Sequence, residues 1–321
     1  MKKTFLNCAL ALALCVSMSG GAVMAEESDK DIMLISADTA VEPAVLMPVQ
    51  VNGTVTVLED GALYIKNDNE ESIHSEVIAR ISEETAVVDA ETGFAMNPAD
   101  ITDGSVVYAW LGNAMTMSIP PQSTAKVIVA NVAEGTKAPA YYEITGTAKT
   151  EENTVTLPVL GGTELEISAD TQLMPFMTRN IVTWDSLMPG SEILAWSDDE
   201  GNINKVLVFA YKYNGYLDID GNKVNVSGMD LSAESNTTDE IVYAPLRAVA
   251  EAVGYEVSWT AEKGAIISYN GEEMISVLPD SDYATTSEGE TYLIGKCIFD
   301  NDTAYIPAAD IAFFLNLYFV K

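Results

Sequence analysis

Zinc hydrolases and redox copper sites are built on clusters of imidazole, and this chain has one histidine, His74. No three-histidine metal site can be assembled within a single copy of it. His74 lies in the polar run Asn67-Asp-Asn-Glu-Glu-Ser-Ile-His-Ser75, which reads as a loop or hairpin tip. A solvated histidine is the plain reading there, and a general base the alternative. Cys297 falls among the alternating apolar residues of Ile294-Gly-Lys-Cys-Ile-Phe299, an expected strand, as a buried small hydrophobe rather than a nucleophile. The sequence has no Gly-x-Ser-x-Gly elbow, glycine-rich phosphate loop or His-Glu-x-x-His helix. It calls for no cofactor.

Oxygen chemistry is better supplied, with 48 Asp and Glu against 16 Lys and Arg. Two carboxylates held in one cleft could hydrolyse a glycosidic bond, but nothing in the sequence singles out a pair. Asp198-Asp-Glu-Gly-Asn202 and Asp218-Ile-Asp-Gly-Asn222 resemble fragments of a calcium loop. In the second run glycine comes fourth rather than sixth and no glutamate closes the twelfth position, so hairpin turns are the alternative reading of both. Arg247 and Glu251, four residues apart on one helix face with Trp259 just downstream, are the candidate contact residues for a ligand or partner. The alternative is an ordinary surface ion pair beside a core tryptophan.

The element that positions these three is legible in Tyr243-Ala-Pro-Leu-Arg-Ala-Val-Ala-Glu-Ala-Val-Gly-Tyr-Glu-Val-Ser-Trp259. Pro245 suits a first helical turn, where its missing N–H costs nothing. Leu246, Val249, Ala250 and Val253 form one apolar stripe at helical spacing. Gly254 follows as a left-handed stop, and Tyr255, Val257 and Trp259 then alternate with polar residues as a half-buried strand does. The pattern recurs 62 positions later in Tyr305-Ile-Pro-Ala-Ala-Asp-Ile-Ala-Phe-Phe-Leu-Asn-Leu-Tyr-Phe319. There Tyr305, Pro307, Ile311 and Leu315 match Tyr243, Pro245, Val249 and Val253, and Asn316 replaces the glycine. Two copies in register predict a duplicated strand-helix-strand unit.

These residues resemble the copper amine oxidase N-terminal-like domain of secreted Firmicutes proteins. The resemblance covers about residues 212–321, with the Pro-Leu-Arg and Ala-Glu-Ala residues kept in the first copy and absent from the second. It implies an extracellular bacterial α+β module. It does not imply amine oxidation, which would need three imidazoles and an Asn-Tyr-acid tripeptide that this sequence lacks.

Upstream the texture is β-rich. Val51–Val57 and Ala62–Lys66 flank Glu59-Asp-Gly61 as a hairpin, and strands are expected at 76–81, 106–111 and 125–132. A second block follows in the same order. Tyr142–Ala148 parallels Val49–Val55 at an offset of 93, and the run from Asp100 to Trp110 recurs from Asp185 to Trp196 at 86. Two small OB-type barrels are expected. Trp110 and Trp196 read as matching core aromatics, with carbohydrate stacking as the alternative. Ala114–Ser123, with two methionines and a diproline, reads as a strand-ending turn or an adaptable contact loop, and it lacks a counterpart in the second block.

The expected organisation is a signal peptide over 1–25, an acidic leader over 26–48, β-domains over 49–137 and 138–211, and the α+β module over 212–321. Met1-Lys-Lys3, an apolar run and Val23-Met-Ala25 supply the export signal, with lipid attachment at Cys15 as the alternative to cleavage after Ala25. Removing residues 1–25 takes away two lysines and no acid, so the net charge moves from −32 to −34. That acidity disfavours nucleic acid and anionic lipid as partners, and no transmembrane segment is expected in the mature chain. The reading is a secreted, non-catalytic envelope or extracellular binding and scaffolding protein, whose partner is a wall polymer, an extracellular polymer or a protein. A carboxylate-dependent envelope hydrolase and a calcium-binding envelope stabiliser are the alternatives.

Overall fold

The computed structural model describes residues 47–69, 72–133, 137–177 and 181–320. The expected export signal, Cys15 and all but the end of the acidic leader lie outside them.

The first block contains β1 (Val49–Val57), β2 (Leu63–Asn67), β3 (Glu76–Arg80), β4 (Ala86–Asp89), β5 (Val106–Leu111) and β6 (Gln122–Ala130). Strand alternation points Val51, Val55, Leu63, Ile65, Val77 and Ala79 into one core. The sheet runs β3-β2-β1-β5-β6, and parallel pairing of β3 with β6 closes a five-stranded barrel. β4 lies parallel to β6 further along the same edge.

The second block repeats the connectivity with β7 (Ala140–Glu143), β8 (Lys149–Glu151), β9 (Thr154–Val159), β10 (Thr163–Ser168), β11 (Gln172–Pro175), β12 (Glu192–Ser197) and β13 (Ile203–Val208). β11 pairs parallel with β13 as β4 does with β6, and β12 carries a register shift after Trp196 as β5 does after Trp110. Val55 bonds to Ser105 and Gly104, and Ile144 bonds to Ser191 and Gly190 in the same way. Val55 and Ile144, 89 positions apart, are therefore equivalent. This corrects the offset of 93, which had matched Gly53 with Gly146. Gly146 instead lies where the long strand β1 has become two pieces, β7 and β8.

Among the described residues the second block does not form a closed barrel. Its strands form the sheets β11-β13-β12-β7 and β10-β9-β8, joined by a bridge between Ile144 and Val159. The first barrel closes through Gln122–Thr124 of β6. Their counterparts, Glu200–Asn202, belong to the turn before β13, because this connection is eight residues shorter than the loop carrying Met117 and Pro120. That loop accounts for a change in offset after Trp110, not before it. The earlier change combines two differences. The passage from the first strand to the second is longer in the second block, and the turn after it is shorter, with Gly161-Gly162 in place of the His74 loop between β2 and β3.

The two blocks share a core. Val88, Trp110, Val127 and Val129 meet Leu194, Leu207 and Phe209, with Tyr141 and Trp196 partly buried against them. Trp110 is 4 % exposed, and Lys205 Nζ lies 3.9 Å from the centre of the Trp196 ring. Both tryptophans belong to this packing, as the core reading anticipated.

The remaining elements are β14 (Gly215–Asp220), β15 (Lys223–Val226), β16 (Met229–Asp230), β17 (Asn236–Thr238), β18 (Ile241–Pro245), α1 (Leu246–Ala252), β19 (Glu256–Thr260), β20 (Gly264–Tyr269), β21 (Glu272–Val277), β22 (Tyr283–Thr286), β23 (Gly289–Tyr292), β24 (Ile298–Asp300), β25 (Thr303–Pro307), α2 (Ala308–Leu315) and β26 (Leu317–Phe319). Mostly β structure with two helices near the C-terminal end is the architecture expected from the sequence pattern. The duplication is longer than that pattern suggested. Hairpins β17-β18 and β24-β25 precede the two helices, and each turns through two left-handed residues, Asp239-Glu240 and Asn301-Asp302. The acidic stretch 232–240 thus holds a strand, β17.

Both helices start directly after a proline that ends a strand, so Pro245 caps α1 rather than occupying its first turn. Gly254 stops α1 at φ 87°, with its N–H bonded to Glu251 and that of Tyr255 to Ala250. This is the Schellman arrangement, in which the glycine escapes the Cβ penalty of the left-handed region. Asn316 ends α2 at φ 51° and ψ 52°. Leu246, Val249 and Ala250 from α1 and Ala308, Ile311, Ala312 and Leu315 from α2 bury into one core with β20, β21 and β25.

Candidate binding cleft

Arg247 and Glu251 sit one turn apart on α1. Arg247 Nη1 donates to Glu251 Oε1 at 3.2 Å and to the carbonyl of Val257 on β19 at 2.8 Å. Both side chains are about half exposed, so the ion pair itself is worth a few tenths of a kcal/mol, ~0.3–0.5 for this spacing. The bond to Val257 matters more for geometry. It ties the guanidinium to the strand that carries Trp259, and Nε and Nη2 keep no protein partner among the described residues.

Trp259 is 44 % exposed, which overturns its reading as a core tryptophan. The strand alternation that buries Val257 in part would bury Trp259 too, but β19 is the edge of the five-stranded sheet β19-β20-β21-β22-β23. Its far end projects past the core and meets Phe299 of β24, ring centroids 4.9 Å apart and planes tilted by 37°. Arg247, Trp259, Phe299 and Asp302 line a shallow cleft of about 90 Å³, floored by Leu246 and Ala265.

The sequence pattern brought Arg247, Glu251 and Trp259 together and missed Phe299 and Asp302. These come from the hairpin of the second copy, laid beside the helix of the first. The only available signal was the 62-residue offset, which equates Phe299 with Thr237 and Asp302 with Glu240. By the same offset Arg247 and Glu251 correspond to Ala309 and Phe313. The reciprocal place, where the first copy's hairpin would meet the second copy's helix, therefore lacks the cation, the acid and the added aromatic ring.

The carboxylates that burial perturbs lie elsewhere. Glu143 and Glu192 are directly opposed on β7 and β12. Lys126 of β6 reaches them at 3.6 and 3.7 Å, and Lys212 reaches Glu192 at 2.7 Å. Burial, only partly offset by Lys126, raises the Glu143 carboxyl above its ordinary value. Burial, reinforced by both glutamates, pushes the Tyr213 hydroxyl up to about 12. The cluster ties both β-blocks to the segment that leads into the α+β module, and lysines neutralise both acids.

The calcium-like runs are hairpin turns. Asp198 accepts the N–H groups of Glu200 and Asn202, which hold its carboxyl below the ordinary range. Gly221-Asn222 turns β14 into β15, with Asp220 paired to Lys223. Cys297 is 1 % exposed and lies just before β24 rather than within a strand; burial pushes its thiol up to about 11. His74 is half-buried in the β2–β3 loop, its backbone held by Ser72 and Asn67 side chains. No helix among the described residues is long and apolar enough to cross a membrane.

A hairpin, a helix and a strand, repeated once and packed around a common core, define this part of the chain as a duplicated α+β module. Residues 218–319 match the family profile of the copper amine oxidase N-terminal domain, so this part of the chain is similar to that domain. That region is a non-catalytic part of the oxidases it is named for. Comparison with curated proteins returns no match. The copper in the family name does not fit these residues. One histidine is present in the whole chain, and no three His, Cys, Asp or Glu side chains gather as a metal site among the described residues.

Proposed function

We propose that this is an exported, non-catalytic binding and scaffolding protein that holds a wall polymer, an extracellular polymer or a protein partner in the cleft of its α+β module. The observation that carries the reading is Trp259, an exposed indole set against Phe299 and beside an Arg247 fixed by two acceptors. An aromatic surface with a few placed polar groups is the usual chemistry of a binding site. The alternative of a carboxylate hydrolase draws no support from Glu143 and Glu192, whose oxygens are engaged by Lys126 and Lys212. Export follows from the charged, apolar and small-residue pattern of residues 1–25.

Co-sedimentation of the purified protein with isolated cell-wall sacculi tests the reading. Wild-type protein should pellet with the sacculi, and Trp259→Ala and Arg247→Ala should stay largely in the supernatant. Equal pelleting of wild type and both variants would overturn the assignment of the cleft.

A further inference from the structure

We infer that the cleft takes an uncharged polysaccharide chain, bound from the side with one sugar ring against Trp259. The inference rests on the reading of the cleft as the binding surface and adds the chemistry of its occupant.

Size comes first. Sites that enclose a small molecule hold roughly 300–1,000 Å³, and this cleft holds about 90 Å³. It can take one face of a ring or the edge of a chain, not a whole ligand. A polymer that continues past both ends suits such a surface, because its affinity can accumulate over neighbouring units.

Charge comes second. Arg247 is balanced by Glu251, and Asp302 stands at the same cleft. No surplus of positive charge draws in an anionic chain, and the whole protein carries a net charge of −32. Long-range repulsion would slow the approach of a polyanion such as a uronic-acid polymer.

Recognition chemistry comes third. A pyranose presents an apolar C–H face and a rim of hydroxyls that both donate and accept. The Trp259 indole, held by Phe299, offers an exposed apolar surface for the face. Arg247, with Nε and Nη2 unengaged, can only donate, whereas the carboxylate of Asp302 can only accept. Together they match both halves of a hydroxyl rim. A peptide of ordinary composition would leave this donor and acceptor pair to be satisfied by chance, and an apolar segment would bury both without partners.

The test uses the full-length protein with neutral hexasaccharides of β-1,4-linked glucose, N-acetylglucosamine and xylose, beside polygalacturonate and a free wall stem peptide. Binding is read by calorimetry and tryptophan fluorescence. At least one neutral hexasaccharide should bind. Trp259→Ala and Asp302→Ala should weaken it about 10-fold or more, and Trp259→Phe should retain part of the affinity with an unchanged melting temperature. Binding of polygalacturonate or the stem peptide in preference to every neutral saccharide would overturn the inference, as would binding of none of them. If sacculi still pellet the protein in a Trp259-dependent way, the cleft stands as the binding surface and only the sugar assignment falls. Pelleting that ignores Trp259 removes both.

Discussion

Ala244 of β18 lies opposite Ile306 of β25, and the two are the same position in the two copies of the repeat. Tyr243 therefore faces Pro307 while Pro245 faces Tyr305. The antiparallel pair is its own image under a local two-fold axis, which sends both helices from one strand pair into one core. The surface residues have not followed the symmetry. The cleft arises where the second copy's hairpin meets the first copy's helix, and the reciprocal place offers Ala309, Phe313 and Thr237 where the first has Arg247, Glu251 and Phe299.

The shared core predicts that α2 tolerates change on one face alone. Leu315 is fully buried, whereas Phe313, two residues before it, is 61 % exposed. Leu315→Ala should cost about 2–5 kcal/mol through lost transfer energy and a residual cavity. Phe313→Ala should stay within roughly 0.5 kcal/mol, as surface substitutions do. Urea unfolding monitored by circular dichroism measures both, and equal costs would refute the packing of α2.

Two equivalent glycines separate backbone strain from crowding. Gly104 and Gly190 have φ values of 83° and 87° in matching turns of the two β-blocks. A Cβ on Gly104 would meet nothing within 4 Å, but one on Gly190 would lie 2.7 Å from Tyr318 Cδ2 and 2.9 Å from Tyr213 Cε2. Gly104→Ala should then cost only the left-handed penalty, ~1–2 kcal/mol. Gly190→Ala should cost clearly more, because β26 and the Tyr213 segment must shift. Melting temperatures of the two variants give the comparison.

The helix punctuation of the module was readable because proline, a four-residue stripe and a glycine or asparagine stop are local signals with local causes. Arg247 and Glu251 could be paired for the same reason. The exposure of Trp259 could not, since alternation says which residues share a face and not whether anything covers the end of an edge strand. Phe299 and Asp302 were hidden because their role depends on which hairpin packs beside α1. In the β-blocks, Trp110 and Trp196 fixed one part of the repeat correctly, but Gly53 and Gly146 suggested a false register. Closure of the first barrel depends on three residues at the start of β6, whose counterparts in the second block fall in a turn because the connection before them is shorter.

Glu143 makes a pH-dependent prediction. Its carboxyl is raised in the folded protein, burial being the largest cause and Lys126 opposing it. The ionised form is thus disfavoured by folding. The associated stability is fully present below the unfolded value, ~4.3, and is lost as pH rises through the folded value. Glu143→Gln fixes a neutral side chain, so relative to wild type it should be more favourable at pH 7 than at pH 4. A difference in unfolding free energy that is constant with pH, or of the opposite slope, would show that Lys126 outweighs burial.

Cys297 should report on unfolding rather than take part in chemistry. Its side chain is 1 % exposed, and its thiol is pushed up to about 11. Thiolate, the reactive form, is therefore scarce at pH 8, and a reagent has no path to the sulfur. Its backbone is also fixed, donating to Ser281 and accepting from Asp280, so exposure requires that connection to open. In a chain beginning at Glu26, where Cys297 is the sole cysteine, maleimide labelling should be negligible in buffer. It should rise with urea along the same curve as circular dichroism, because the residue belongs to the core shared by α1 and α2. Labelling well before the global transition would show that the segment between β23 and β24 opens on its own. Since β24 carries Phe299, such opening would also loosen the wall of the cleft, and sugar binding should then fall in step with labelling.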